Sequence, residues 1–395
     1  MQIVQERIVK GMYSTVSGLY IDRFNYDILP FRRSYAMKSS LKIGFGFYRH
    51  MLTDENFRFA RQAGASHAVV HLTDYTGQLK GAPVTDDQPI DGENGWGSTS
   101  GDRKIWSLSS LSDLKKRMAS HGIELYALEN FDPAHWYDVL LAGPRRDEQI
   151  EWIKELILNM GKAGISVMGY NFSLAGVAGR IHGPFARGGA ESVGVSGVDD
   201  TPIPEGMVWN MAYERTRTGE MLQEISHEEL WERLRYFLER VVPVAEKAGV
   251  TMAAHPDDPP AERVRRQPRL IYRDHLYQKL FSLLESPASR AELCLGTVQE
   301  MQESDVYRLT EELVRQKKVA YIHFRNVVGK IPEYHEVFVD EGDIDMPRII
   351  RILVENGYDG VIIPDHTPQM SCAAPWHAGM AYALGYMRAL YQVYG

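Results

Sequence analysis

Cysteine is almost missing: Cys294 and Cys372 are the only two in 395 residues. Two thiols cannot staple a chain of this length, so the fold must rest on packing, and the expected compartment is a reducing one. Long apolar runs are missing as well. No stretch approaches the length that crosses a bilayer, and the first residues, MQIVQERIVKGMYSTV, carry charge where a secretory signal needs its apolar centre. The expectation is a cytoplasmic protein without membrane attachment. Positive charge is in short supply, with 44 Lys and Arg against 52 Asp and Glu and a formal net charge of −8. A surface of that sign has no electrostatic footprint for nucleic acid or anionic lipid, which leaves small molecules as the expected partners. Hydrophobic residues, at 44%, are by contrast ample for a large core.

Residues 1–40 are aromatic and basic without a period, and Pro30 interrupts any long helix there. They read as an N-terminal extension, either an oligomer arm or a barrel cover, and a homo-oligomer is the expected assembly. From Leu41 onward a repeating order sets in: short apolar run, polar loop, amphipathic helix, closing small residue. The runs are LKIGFGF (41–47), HAVVHLT (67–73), IELYALEN (123–130), SVMGYNF (166–172), one ending at His255, AELCLGTV (291–298), VAYIHFRNV (319–327) and DGVIIPDH (359–366). The longest helix pattern puts Leu230, Leu234, Phe237, Leu238, Val241 and Val244 on one stripe. Eight β runs, each followed by a helix, is the count of an α/β fold of the (β/α)8 TIM-barrel type, in which the active site forms where the strands end. One barrel domain over 41–395 then accounts for the rest of the chain. Two connections, 74–106 and 173–225, are too long for ordinary βα loops and are expected over the functional face.

The fifth run and its sequel, TMAAHPDDPP (251–260), end a strand abruptly. Pro256, Pro259 and Pro260 donate no backbone hydrogen bond, so the strand stops near His255 and presents that imidazole at the barrel mouth. Three later runs end in the same way, with Cys294, His323 and Asp365. Successive barrel strands are neighbours, so these four side chains can meet near the axis. Two imidazoles, a thiolate and a carboxylate suit a first-row divalent ion, Zn, Fe, Co or Mn rather than Mg or Ca. Each residue also has a plainer reading: Cys294 as a small buried hydrophobe, Asp365 as a cap for the next helix, His323 bonded to a backbone carbonyl.

The sequence also resembles the mannonate dehydratases, xylose-isomerase-like barrel enzymes that remove water from D-mannonate to give 2-keto-3-deoxy-D-gluconate. The resemblance is carried by GYNF (169–172), VVPVAEKAGVTMAAHPDDPP (241–260), LCLG (293–296), HFRNV (323–327), HEVFVDEGDIDM (335–346) and GYDGVIIPDH (357–366). It implies His255, Cys294, His323 and Asp365 as ligands of a divalent ion, Mn2+ ahead of Fe2+, Co2+ or Zn2+, with His366 as a catalytic acid or base.

That chemistry needs a clamp for the carboxylate and 2-hydroxyl of a sugar acid, a base for the hydrogen beside the carboxylate, and an acid for the departing 3-hydroxyl. Further candidates at the mouth are His335 and Glu129 for proton transfer and His71, Asn171, Arg325 and Glu341 for substrate contact. Arg325 and Glu341 are alternatively paired with each other or with Asp257. The sequence departs from the family where substrate is faced. The family's Gly-Arg after PDH is Thr367-Pro368 here, the family's later catalytic tyrosine falls on Met380 in WHAGM (376–380), and its Trp-Thr-Arg after YNF is replaced by SLAGVAGRIHGPFARGG (173–189). His377, Arg180, His182 and Arg187 are candidates for replacement contacts. A sugar-acid dehydratase is the leading reading, with a sugar isomerase or epimerase on the same barrel and a non-catalytic sugar-binding descendant as competitors.

Overall fold

A computed structural model describes residues 40–75, 96–99, 101–213 and 219–395. All but the last residue of the N-terminal extension expected at 1–40, and most of the segment 74–95, lie outside these. Among the described residues the apolar runs become eight parallel strands: β1 (Lys42–Phe47), β2 (His67–His71), β3 (Glu124–Glu129), β4 (Val167–Tyr170), β5 (Thr251–Ala254), β6 (Ser289–Cys294), β7 (Val319–His323) and β8 (Val361–Ile363). They pair in chain order and β8 closes on β1, giving the expected barrel. Alternation divides each strand between two cores. Outward residues pack under the helices, while Val69, Ala127, Val167, Ala253, Tyr321, Val361 and Ile363 fill the barrel interior. Ala127, Ala253 and Gly169 are small, which leaves interior room for polar side chains higher in the barrel.

The helices that alternate with the strands are α1 (Asp54–Ala63), α2 (Leu108–Ser120), α3 (Arg146–Ala163), α4 (His227–Ala248), α5 (Leu276–Leu283), α6 (Val306–Arg315), α7 (Met346–Glu355) and α8 (Pro375–Tyr394), and a shorter helix, Pro133–Leu141, precedes α3. Ser226 and Glu229 form a reciprocal capping box at the start of α4, worth about 1 kcal/mol. Its buried stripe holds Leu230, Leu234, Phe237, Leu238 and Val241 as expected, but Val242 and Ala245 complete it and Val244 is only half-buried. No described helix is long and apolar enough to cross a membrane.

Several runs are shorter than the sequence suggests, the eighth being a strand only over Val361–Ile363. The sixth stops at Cys294, and Leu295–Glu300 is helical. The seventh stops at His323, and Asn326–Lys330 turns away to pair antiparallel with Glu333–Val337. That pair extends a hairpin from the connection after β4, Arg180–Ala186 with Ala190–Ser196, into one four-stranded sheet. A second small sheet joins Gly97–Ser98, after β2, to Met211–Ala212 and Met207–Val208, after β4. The long connections are thus tied to one another.

Candidate metal centre and active site

Cys294 and His323 are direct partners in the β6–β7 ladder, and His255 follows the last residue of β5. Register alone therefore sets the three side by side. Their donor atoms lie within 4.8 Å of one another, against about 4 Å across an ion with bonds of about 2.0–2.3 Å. The His255 Nδ1–H donates to the Pro256 carbonyl at 2.5 Å, which leaves Nε2 for a ligand. Asp365 sits two residues beyond β8 with φ 66°, a left-handed backbone that aspartate tolerates. Its Oδ2 is 3.4 Å from His323 Nδ1 and 3.3 Å from Arg325 Nε. It caps no helix, since α8 begins only at Pro375. The plainer readings of Cys294 and His323 also give way: the sulfur faces Arg325 Nη2 at 3.3 Å, and the ring's polar neighbours are carboxylates.

The electrostatics favour a cation. Burial resists ionisation of the Cys294 thiol, but Arg325, His255 and His323 pull it well below the usual range, toward the thiolate that metals bind. Burial would depress His255, yet Glu292 and Cys294 raise it to about 9. His323 is raised against its burial by Asp365 and Glu129. Without an ion, protons on the two imidazoles stand where positive charge belongs. Glu292, fully buried on the same strand as Cys294, is held well above the usual carboxylate range by burial and by the Glu129 charge. The donor set of His255, Cys294 and His323 fits a divalent ion.

Two histidines at the mouth are driven apart. His366 Nδ1–H donates to both Glu336 oxygens, at 2.8 and 2.9 Å, while Nε2 is 3.3 Å from Asp365 Oδ1. Burial opposes its charge, but Asp365 and Glu336 outweigh burial and raise it. His71 is lowered by burial, which the Glu129 carboxylate only partly offsets. The surroundings thus hold His366 toward its protonated form and His71 toward its neutral one. Glu129, drawn to about 2 by His71 and His323 despite burial, is too weak a base to take a proton from carbon.

Arg325 lies beneath the cavity as a hub. Its Nη1–H groups donate to Glu300 Oε1 at 2.9 Å and Glu336 Oε1 at 2.8 Å, and its Nη2–H groups to Asp258 Oδ2 at 3.1 Å, Thr297 Oγ1 at 3.0 Å and Cys294 Sγ. Gly296 admits it, because a Cβ there would stand 2.9 Å from the guanidinium carbon. Removing this charge would strand several buried anions, at a cost of ~3–5 kcal/mol.

Similarity to known proteins follows the same residues. The D-mannonate dehydratase family model matches residues 98–179 and 195–394. The chain belongs to the D-mannonate dehydratase family. A mannonate dehydratase of Streptococcus pneumoniae is 32% identical over 279 residues, covering 67% of this chain and 75% of that one. The solved mannonate dehydratase of Streptococcus suis superposes with a TM-score of 0.67 at 25% identity, over 90% of this chain and 93% of that one. The solved D-psicose 3-epimerase of Clostridium cellulolyticum shares the fold, with a TM-score of 0.52 at 12% identity over 89% and 99% of the two chains.

Within this mannonate dehydratase frame, the cavity is lined by His71, Glu129, Asn171, Arg180, His255, His323, Asp365 and His366 from the expected set. Others of that set lie elsewhere. Arg325 gives its donors to protein groups rather than to the cavity, and it pairs with neither Glu341 nor Asp257. Glu341 accepts from the Arg187 backbone N–H at 2.8 Å, and Asp257 pairs with Arg269 at 3.2 Å. His335 packs its ring on Phe185, 5.4 Å between centroids, because strand alternation turns it opposite to Glu336. His377, in the first turn of α8, meets Asn56 Oδ1 at 3.1 Å and packs against Phe59 and Trp376. His182 and Arg187 are exposed, and Met380 is buried in the core. Sequence reasoning missed Asp258, Glu292, Glu336 and the aromatic wall of Tyr75, Trp96 and Trp209. Glu292 was findable as a carboxylate inside an apolar strand, two residues from Cys294 on the same face. Nothing local marks Trp209.

Proposed function

We propose that the chain dehydrates D-mannonate, or a closely related aldonate, to the 2-keto-3-deoxy acid with the help of a divalent ion, Mn2+ first. His255, Cys294 and His323 would hold the ion with Asp365 beside them. When bound, the ion supplies Lewis acidity toward the carboxylate and 2-hydroxyl and takes up charge as C2 is deprotonated. The observation that carries the reading is the convergence of His255, Cys294 and His323 under a cavity flanked by one raised and one lowered histidine. Neutral His71 takes the C2 proton. Protonated His366, steered by Glu336, gives its proton to the 3-hydroxyl as the C3–O bond breaks and water leaves. The enol that remains is protonated at C3 and becomes the keto acid. Glu129 holds His71 and His323 in place. Arg180 supplies a clamp for the substrate's negative charge: it lines the cavity, is 8% exposed, and its Nη1 has no hydrogen-bond partner. Both cysteines are unpaired, which supports the accompanying reading of a cytoplasmic enzyme, and a homo-oligomer is proposed with it.

Incubation of the purified protein with Mn2+ and a panel of aldonates tests this. A 2-keto-3-deoxy acid should form from D-mannonate or a near stereoisomer. Absence of product from every aldonate, or deuterium uptake from solvent without loss of water, would count against it.

A further inference from the structure

The polar groups gathered at the strand ends account for only part of the cavity. Much of the remaining lining is aromatic: Tyr48, Tyr75, Trp96 and Trp209, with Val177 packed beside them. These rings form one continuous surface. His71 lies 4.9 Å from Tyr48 and 5.8 Å from Tyr75 between ring centroids, and Trp209 stands 5.7 Å from Tyr75 and 5.4 Å from Trp96. The surface therefore starts beside the imidazole assigned the C2 proton and continues through Tyr75 to Trp209.

Trp209 is held there in a strained backbone. It and Asn210 are the two turn residues between Met207–Val208 and Met211–Ala212, and both are left-handed, with φ 53° and 57°. Such a turn favours Asn and Gly, and a bulky tryptophan is a rare choice for its first position. The surroundings fix it nonetheless. The Trp209 N–H donates to the Leu174 carbonyl at 2.7 Å, the Trp96 N–H to the Asn210 carbonyl at 2.7 Å, and Arg265 Nη1–H to Asn210 Oδ1 at 3.1 Å. Gly176 approaches so closely that a Cβ there would stand 3.0 Å from the Trp209 backbone. Asn171 Oδ1 accepts the indole N–H at 3.3 Å. With its one polar atom engaged, the indole offers the cavity only its apolar ring. Strain kept at a cavity-facing residue and over-determined by its neighbours points to a contact with the ligand.

The other groups leave one part of a sugar acid for that contact. Its carboxylate and 2-hydroxyl go to the ion and the Arg180 charge, its C2 hydrogen to His71 and its 3-hydroxyl to His366. The carbons beyond C3 remain, and their C–H groups are apolar surface for an aromatic face. We propose that Trp209 is a specificity-determining residue, whose ring packs on the carbons beyond C3 and selects six-carbon acids over shorter ones. This rests on the dehydration proposed above and deepens it by naming what recognises the tail.

The test sets two substrates against two Mn2+-loaded proteins. The substrates are the six-carbon aldonate turned over best and the four-carbon acid of the same configuration at C2 and C3; the proteins are wild type and Trp209→Ala. Wild type should favour the longer acid in kcat/KM by on the order of 10^2-fold. Trp209→Ala should lose most of that advantage on the longer acid, chiefly through KM, and stay within about twofold of wild type on the shorter one. Equal losses on both acids would show a wall that only supports the site and would overturn the proposal, as would a preference that survives in the variant. If wild type dehydrates no acid, the proposed reaction falls and takes this inference with it; if wild type dehydrates both acids equally well, only the inference falls. Should Trp209→Ala fail to fold, Trp209→Phe, which keeps a smaller ring, is read in the same way with an effect of about tenfold.

Discussion

The polar groups carried by β5 to β8 and the wall raised by the long connections after β2 and β4 meet in one cavity, but they are held differently. Ladder pairing fixes the first group: Cys294 opposes His323, and His323 opposes Ile363 on β8. Side-chain packing fixes the second, with Trp96 and Trp209 5.4 Å apart between ring centroids and each 5.7 Å from Tyr75. The family match runs through the strand ends and skips 180–194, where Arg180 begins the hairpin that reaches the cavity. The first group stands on a closed sheet; the facing wall stands on the long connections, of which the family match leaves out 180–194.

That contrast can be broken from the strand side first. Cys294→Ser should lower kcat/KM on the order of 10^3-fold and abolish the thiolate-to-metal absorption of the Co2+ form, while circular dichroism shows an intact barrel. His366→Asn should lower kcat by at least about 10^2-fold with Mn2+ affinity unchanged, as titration of the metal would show. A pH series of Mn2+ binding comes next. His255 is raised to about 9 in the metal-free chain, and an ion must expel that proton to reach the nitrogen. Affinity should rise with pH between about 7 and 9 by at least about tenfold per unit, because His323 is raised as well and must also give up its proton to the ion. The same shift has an opposite sign for the stability of the metal-free chain. A histidine raised in the folded state stabilises fully below its unfolded value near 6.5, and that contribution is lost as pH climbs through about 9.

The loop side gives smaller effects. Trp209→Phe should raise KM about tenfold and leave kcat nearly unchanged in steady-state assays. His377→Ala, outside the cavity, should move neither parameter by more than about twofold. A large change there would show that α8 reaches the substrate.

Most of the barrel was legible because alternation and helix closure repeat eight times, and the convergence of the proposed ligands because each stands where a strand ends. The chain was misread where a side chain's role depends on what lies across space. Arg325 looked available for substrate until Glu300, Glu336 and Asp258 were seen around it. His335 and Glu336 are adjacent in sequence, and only the pairing of Glu333–Val337 shows that Glu336, not His335, faces His366. Asp257 and Asp258 carry equal weight in the motif, yet the first serves Arg269 and the loop backbone while the second lines the cavity.

X-ray absorption at the zinc edge of the Zn2+-loaded protein tests the central claim most directly. The account predicts one sulfur scatterer at about 2.3 Å together with imidazole nitrogens at about 2.0–2.1 Å, with the sulfur lost in Cys294→Ser. A shell of nitrogen and oxygen alone in the unaltered chain would contradict it.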